Sequence, residues 1–202
     1  MSPARGSAEA RRAEILDAAL GLFGRYGYRR TSIDDIAREA GIAKGTVYLS
    51  FASKDEVFRA VGEALVERML ADAATARQQP GTAQDRLTAM VIAWHGMYFD
   101  TVSSSPHAGE LMDAKHRLGS DVISRAADRY RALLRDTVAD AEAAGELDLQ
   151  AAGITAGTAA DLLTAVGRGL QADATTPAAY RRHLQALVRV LMTGLRPTVP
   201  AR

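Results

Sequence analysis

The chain has 202 residues, of which 48% are hydrophobic, and its formal net charge is +1. This length and apolar fraction suit a small head domain followed by one larger hydrophobic core. The near-zero charge argues against a protein that coats nucleic acid, although a local basic patch is enough for a protein that recognises one DNA sequence. The chain contains no cysteine, which excludes disulfides, cysteine-ligated zinc, iron–sulfur clusters and thiol redox sensing and fits a cytoplasmic protein.

No segment has the pattern of a targeting or membrane-spanning sequence. The first thirteen residues carry charges and no apolar run, so we expect no signal peptide. No window approaches the roughly 20 apolar residues of a transmembrane helix. We therefore expect no membrane partner.

Helical periodicity dominates the first fifty residues. Residues Ala8–Tyr26 place apolar side chains at intervals of three and four, which predicts an amphipathic helix. Between Thr31 and Lys54 the pattern predicts two short helices joined by a tight turn. Ser32 is placed to cap the first of them, and Gly41 breaks it, because glycine tolerates the left-handed backbone that a helix end often needs.

This pair of short helices has the pattern of a helix-turn-helix. Val47 and Phe51 are the inward residues of the second helix, and small or hydrogen-bonding groups remain on its outer face. Such groups suit the major groove of DNA, which is about 12 Å wide. The predicted outer face consists of Lys44, Gly45, Thr46, Tyr48 and Ser50.

The stretch TSIDDIAREAGIAKGTVYLSFASK, residues 31–54, resembles the signature of the TetR family of transcriptional regulators. The upstream run ending in Phe23 and Gly27-Tyr28 also resembles the first helix of that family. The resemblance covers about the first quarter of the chain and is only architectural beyond Phe58. It implies base-edge contacts by Lys44 and Thr46. It also implies phosphate contacts by Thr31, Ser32, Tyr48 and Lys54.

The remainder of the chain is also predicted to be helical. Ser53 and Glu56 begin a long helix that runs to about Arg77 and is a candidate for transmitting a signal between the domains. Further helices are predicted from Thr82, Pro106, Ser120, Ile154 and Pro177. The expected fold is all-α with about nine helices: a three-helix helix-turn-helix head over residues 1–52, joined to a larger helical ligand-binding and dimerisation domain over residues 53–202.

Aromatic, thioether and imidazole side chains concentrate in the middle of the chain, and these types line small-molecule pockets. Trp94 and Tyr98 share the apolar stripe of their helix, so an ordinary core is the alternative explanation for them. His95 and Phe99 lie off that stripe and must face a pocket, a partner or solvent. The predicted effector-binding residues are Trp94, His95, Tyr98, Phe99, Met112, His116 and Tyr130.

Catalytic and metal-binding patterns are absent from the sequence. The four histidines have no ligand spacing, and we find no phosphate loop, carboxylate pair or nucleophile motif. We expect no enzyme, metal or cofactor. The predicted function is a ligand-responsive repressor that binds a palindromic double-stranded DNA operator as a homodimer and is released by an unknown small-molecule effector. The alternatives are an effector-dependent activator of the same architecture and a helical enzyme with a vestigial head.

Overall fold

The computed structural model describes residues 3–98, 105–118 and 120–197. In these ranges the chain forms nine α-helices and no strand, which confirms the predicted all-α fold. The helices are α1 (Pro3–Arg30), α2 (Ile33–Glu39), α3 (Lys44–Tyr48), α4 (Lys54–Arg77), α5 (Ala83–Tyr98), α6 (Ala108–Leu118), α7 (Ser120–Ala143), α8 (Ala156–Asp173) and α9 (Pro177–Gly194). None of the described helices is both long and apolar enough to cross a bilayer.

The described residues divide into two compact units. The first contains the chain up to Glu67 together with residues 105–124, and the second contains residues 68–98 and 125–197. The division falls inside α4, whereas the sequence predicted domains of 1–52 and 53–202. The first half of α4 belongs with the head because it buries Val57, Ala60 and Val61 in the same core as α1, α2 and α3.

The core of the first unit follows the predicted periodicity. Ile15, Ala19 and Phe23 of α1 are buried, and Ile36 of α2 and Val47 of α3 are fully buried in the same cluster. Burial of each large apolar side chain stabilises the fold by about 1.5–3 kcal/mol. Neither of the two short helices is long enough to be stable alone, so both depend on this core for their stability. The core also holds them at a defined angle.

Helix α1 is interrupted at Gly27, near the predicted helix end. Gly27 has φ 83° and ψ 165°, a backbone conformation that residues other than glycine rarely adopt. The start of α6 packs against this kink. The hydroxyl of Ser105 donates to the Gly24 carbonyl at 2.8 Å, and the Glu110 carboxylate accepts from the Arg29 backbone N–H.

The second unit is built from the later helices. Side-chain hydroxyls begin α8 and α9: Thr155 accepts from the Thr158 backbone N–H, and Thr176 accepts from the Ala179 N–H. The end of α9 is tied to the segment before α8, because the Asp148 N–H donates to the Leu195 carbonyl at 2.8 Å.

Candidate nucleic-acid interface and effector site

The first short helix of the head has the predicted cap. Ser32 has an extended backbone and accepts from the Asp35 N–H at 3.1 Å, and Asp35 accepts in return from the Ser32 N–H at 3.0 Å. Hydrogen bonds that the Asp35 carboxylate accepts from the Ser32 hydroxyl and from the Ser32 backbone N–H lower the pKa of this carboxyl. The Ser32 hydroxyl also donates to Asp35 at 2.6 Å, so a phosphate contact by Ser32 would compete with this carboxylate.

The turn and the second short helix also form as predicted. Gly41 has a left-handed φ of 68°, and Val47 and Phe51 are 0% and 1% exposed. At 3.6 residues per turn, Leu49 points about 160° away from both of these buried residues. Leu49 is 86% exposed, the largest value among the exposed large apolar side chains of the described chain.

The outward face of α3 therefore continues into an apolar residue, Leu49, which directly follows the helix and is not part of the predicted face. Gly45 is exposed and Thr46 is half-buried, and both lie within one turn of Leu49. The signal was available in the sequence, because Leu49 lies two residues from each of the two inward positions. Tyr48 is 48% exposed, and Ser50 is half-buried.

Lys44 is exposed at the start of α3 and pairs with Asp34 of α2. Its ammonium lies 2.9 Å from an Asp34 carboxylate oxygen, and this hydrogen bond raises the pKa of Lys44. Ion pairs between exposed side chains contribute little to stability. Lys44 can therefore exchange Asp34 for an anionic or acceptor group on DNA at small cost.

Thr31 differs from the other predicted contact residues because its side chain is inside the head. It is 2% exposed, and its hydroxyl donates to the Gly27 carbonyl at 2.7 Å. This bond satisfies a carbonyl left free at the kink of α1. A DNA contact by the Thr31 hydroxyl would require the side chain to leave this position.

Lys54 also makes contacts within the head. Its ammonium donates to the carbonyls of Tyr28 at 2.9 Å and Thr31 at 2.8 Å, and it lies 4.5 Å from the centre of the Tyr28 ring. Partial burial lowers the pKa of Lys54. The cation thus caps free carbonyls at the end of α1, a favourable place for positive charge. The predicted phosphate contact would have to share this ammonium.

Three of the predicted effector-binding residues come together in the second unit. Trp94 stacks on Tyr130 with ring centroids 4.5 Å apart and an interplanar angle of 7°, and the His95 ring meets Tyr130 edge-on at 5.9 Å. All three side chains are buried. The tip of His95 is directed at Gly167 of α8, where a β-carbon would lie 2.5 Å from His95 Nε2.

Two polar atoms in this aromatic cluster have no hydrogen-bond partner among the described residues. They are His95 Nε2 and the Tyr130 hydroxyl oxygen. Burial and, secondarily, the charge of Arg168 lower the pKa of His95 to about 4, and burial raises the pKa of Tyr130. Both side chains are therefore uncharged at neutral pH. Unpaired buried polar atoms are uncommon, since each carries a desolvation cost.

The other predicted effector-binding residues lie elsewhere or are not described. Met112 is half-buried on α6, in the first unit, so it does not belong to the cluster of the second unit. Phe99 lies outside the described residues, and so do the side chains of Tyr98 and His116. Among the described side chains, Trp94, His95 and Tyr130 are the predicted effector-binding residues that come together.

Comparison with known proteins places the head in a defined family. Residues 15–61 match the profile of the bacterial regulatory proteins of the tetR family. This segment contains the second half of α1, all of α2 and α3, and the beginning of α4. The matched region is therefore the helix-turn-helix and the helices that support it.

Curated relatives match over the head and a short extension. The fatty acid metabolism regulator protein of Bacillus subtilis is 34% identical over 86 residues, which cover 41% of this chain and 42% of that protein. The transcriptional repressor KstR2 of Mycobacterium tuberculosis is 42% identical over 57 residues, 28% of each chain. The chain thus spans less than half the length of these curated relatives.

A solved structure extends the similarity to nearly the whole chain. A structure described as the molecular basis for control of antibiotic production by bacterial hormones superposes with a TM-score of 0.70 and 27% identity. The superposition covers 92% of this chain and 97% of the other. The two chains therefore share the arrangement of the helical body as well as the head.

Proposed function

Because the chain belongs to the TetR family of bacterial regulatory proteins, we propose that it is a cytoplasmic transcriptional repressor which binds a palindromic operator as a homodimer and is released by a small-molecule effector. The observation that carries the proposal is the outer face of α3. It is exposed opposite Val47 and Phe51 on a helix-turn-helix that matches the family. KstR2, a relative over the head, is described as a repressor.

The proposed interface places α3 in the major groove. Lys44 and Thr46 contact base edges, and Tyr48 contacts a phosphate, which sets the register without specifying sequence. Gly45 lets the helix approach the DNA closely, and Ser50 and Ser32 flank the contact. Thr31 and Lys54 support the interface from within the head, through their bonds to the carbonyls at the end of α1.

Leu49 joins this interface as the apolar contact. Its side chain projects beside Gly45 and Thr46, and in the major groove the C5-methyl of thymine is the apolar group available to it. Replacement of thymine by uracil removes only that methyl. Each such replacement at the contacted position of a half-site should cost about 0.8 kcal/mol of binding free energy, which weakens binding about fourfold. The same replacement should leave a Leu49→Ala variant unaffected. Equal sensitivity of both proteins to uracil at every position would exclude Leu49 as the thymine contact.

Exposed apolar side chains on α8 and α9 support the homodimer. Leu162 and Val166 lie one turn apart on α8, and Val190 on α9 is 72% exposed. Pairing of these two helices with their copies in a second subunit would remove this surface from water. Val190→Glu should therefore give a monomer in analytical ultracentrifugation, whereas Leu49→Glu should lose DNA binding and remain a dimer. A dimeric Val190→Glu protein would assign the interface elsewhere.

The aromatic cluster of the second unit is the proposed effector site. An effector shifts the protein away from DNA only by the difference between its affinities for the free and the DNA-bound states. Trp94, His95 and Tyr130 supply a buried apolar surface with two polar atoms that have no hydrogen-bond partner within the described part of the chain. These are the properties of a site that orients a small molecule.

Footprinting on DNA upstream of the chain's own gene, across a salt series, tests the proposal. A protected site with two-fold symmetry and half-sites about 34–36 Å apart, weakening steeply as salt rises, is the expected result. Weak binding without sequence preference, both to this DNA and after selection from random DNA, would exclude a sequence-specific DNA-binding protein. A reporter behind the protected site then gives the sign: output that rises on deletion of the gene indicates a repressor, and output that falls indicates an activator.

A further inference from the structure

Two atoms of the aromatic cluster that have no hydrogen-bond partner among the described residues indicate the chemistry of the molecule that binds there. His95 Nε2 and the Tyr130 hydroxyl belong to rings that meet edge-on, with centroids 5.9 Å apart. The His95 ring lies against α8 at Gly167. The tip of His95 points at Gly167. The Tyr180 hydroxyl donates to the Gly167 carbonyl at 2.8 Å, and Tyr180 is close enough to contribute to the raised pKa of Tyr130.

Buried apolar side chains lie one helical turn from each member of this site. Leu134 lies one turn from Tyr130 on α7, Leu163 lies one turn from Gly167 on α8, and Val91 lies one turn from His95 on α5. All three side chains are fully buried. A molecule held here by the polar pair would therefore have hydrocarbon and aromatic side chains close by.

The pair selects an uncharged group over an ion. The neutral imidazole and the neutral phenol provide no opposite charge, and the side chains of the neighbouring Arg168 and Arg181 are exposed. A carboxylate moved into such a site loses its hydration without a buried partner, at a cost of several kcal/mol. A carbonyl or hydroxyl oxygen loses much less, and it gains two hydrogen bonds, to the His95 and Tyr130 atoms that the described residues leave unpaired.

We propose that the effector is an uncharged, mostly apolar molecule bound through one oxygen function, a carbonyl or a hydroxyl, which bridges the Tyr130 hydroxyl and His95 Nε2. The phenol donates to this oxygen. Nε2 donates to a carbonyl or accepts from a hydroxyl, according to its tautomer. The inference rests on the proposed function and specifies the effector class of the site proposed there.

The first test needs no ligand. Tyr130→Phe removes a buried hydroxyl that has no partner in the described chain, so the unliganded variant should have a higher melting temperature than the wild type. Tyr180→Phe is the matched control: it removes a buried hydroxyl that donates to the Gly167 carbonyl, and it should lower the melting temperature. A fall of similar size in both variants would mean that the Tyr130 hydroxyl has a protein partner, and the proposal would be overturned.

The second test uses Trp94 as the reporter. It is the only tryptophan in the chain and stacks on Tyr130, so its fluorescence responds to a molecule bound at the hydroxyl. The probes are 2-octanone and octanoate, which share a chain length and differ in charge. We expect a saturable change with 2-octanone, about tenfold weaker binding to Tyr130→Phe and His95→Phe, and no response to octanoate at the same concentrations.

The exposed Tyr26 provides the control for this titration, because Tyr26→Phe should bind the ketone like the wild type. Preference for octanoate, equal affinity of Tyr130→Phe for 2-octanone, or no saturable response of the wild type would each overturn the proposal. Footprinting of the same proteins separates the two hypotheses. A protected operator without ketone binding leaves the regulator standing and rejects the effector class. Ketone binding without a protected operator supports the site and rejects the regulator.

Discussion

A β-carbon at Gly167 should disturb the aromatic cluster of the second unit. In Gly167→Ala the new atom would lie 2.5 Å from His95 Nε2, 2.9 Å from Cδ2 and 3.0 Å from Cε1. The whole edge of a 7% exposed ring must then shift. Overpacking of this kind costs about 1–3 kcal/mol. Alanine in a helix interior returns about 1 kcal/mol relative to glycine, so we expect a net loss of about 0–2 kcal/mol.

Gly62→Ala is the control, because Gly62 lies inside α4 and a β-carbon there meets no atom within 4 Å. This variant should gain about 1 kcal/mol in the free energy of unfolding from helix propensity alone. Urea unfolding of both variants and the wild type, at one protein concentration, measures the difference. If Gly167→Ala is stabilised as much as Gly62→Ala, the close approach of His95 to α8 is wrong.

Three further predictions concern the head, the buried histidine and the DNA contacts. Gly27→Ala should lower the free energy of unfolding by about 1–3 kcal/mol, because φ is 83° and the β-carbon would lie 2.6 Å from Glu110 Oε2. Gly24→Ala, with no atom within 4 Å, should not be destabilised in the same urea titration. The folded pKa of His95, about 4 against an ordinary 6.5, means that the unfolded chain takes up the proton first. The contribution of neutral His95 to the free energy of unfolding should thus be fully present above pH 6.5, and this free energy should fall by up to about 3 kcal/mol by pH 4. His95→Phe should remove this part of the pH dependence. Finally, Tyr48→Phe should weaken all DNA sequences about equally in selection experiments, whereas Thr46→Ala should change the preferred sequence; altered preference in Tyr48→Phe would contradict the phosphate assignment.

Helix positions and the turn of the head follow from local sequence. The Ser32 cap, the left-handed Gly41 and the inward pair Val47 and Phe51 were all predicted, and the structure confirms each of them. Capping, left-handed backbone and helical periodicity depend on residues within about four positions of one another. A single sequence therefore determines them, together with the all-α class and the helix-turn-helix that carries the family resemblance.

The partners of individual side chains depended on tertiary structure. Lys54 reaches the carbonyls of Tyr28 and Thr31, more than twenty positions earlier in the chain, and these contacts assign it a place inside the head that its position at a helix start did not reveal. The seven predicted effector-binding residues could not be sorted by pattern. Helical periodicity states which side of a helix is apolar and leaves open which helix covers that side. Only the packing of α5, α7 and α8 brings His95, Tyr130 and Gly167 together, because contacts between residues far apart in the chain are determined by how whole helices fit against one another.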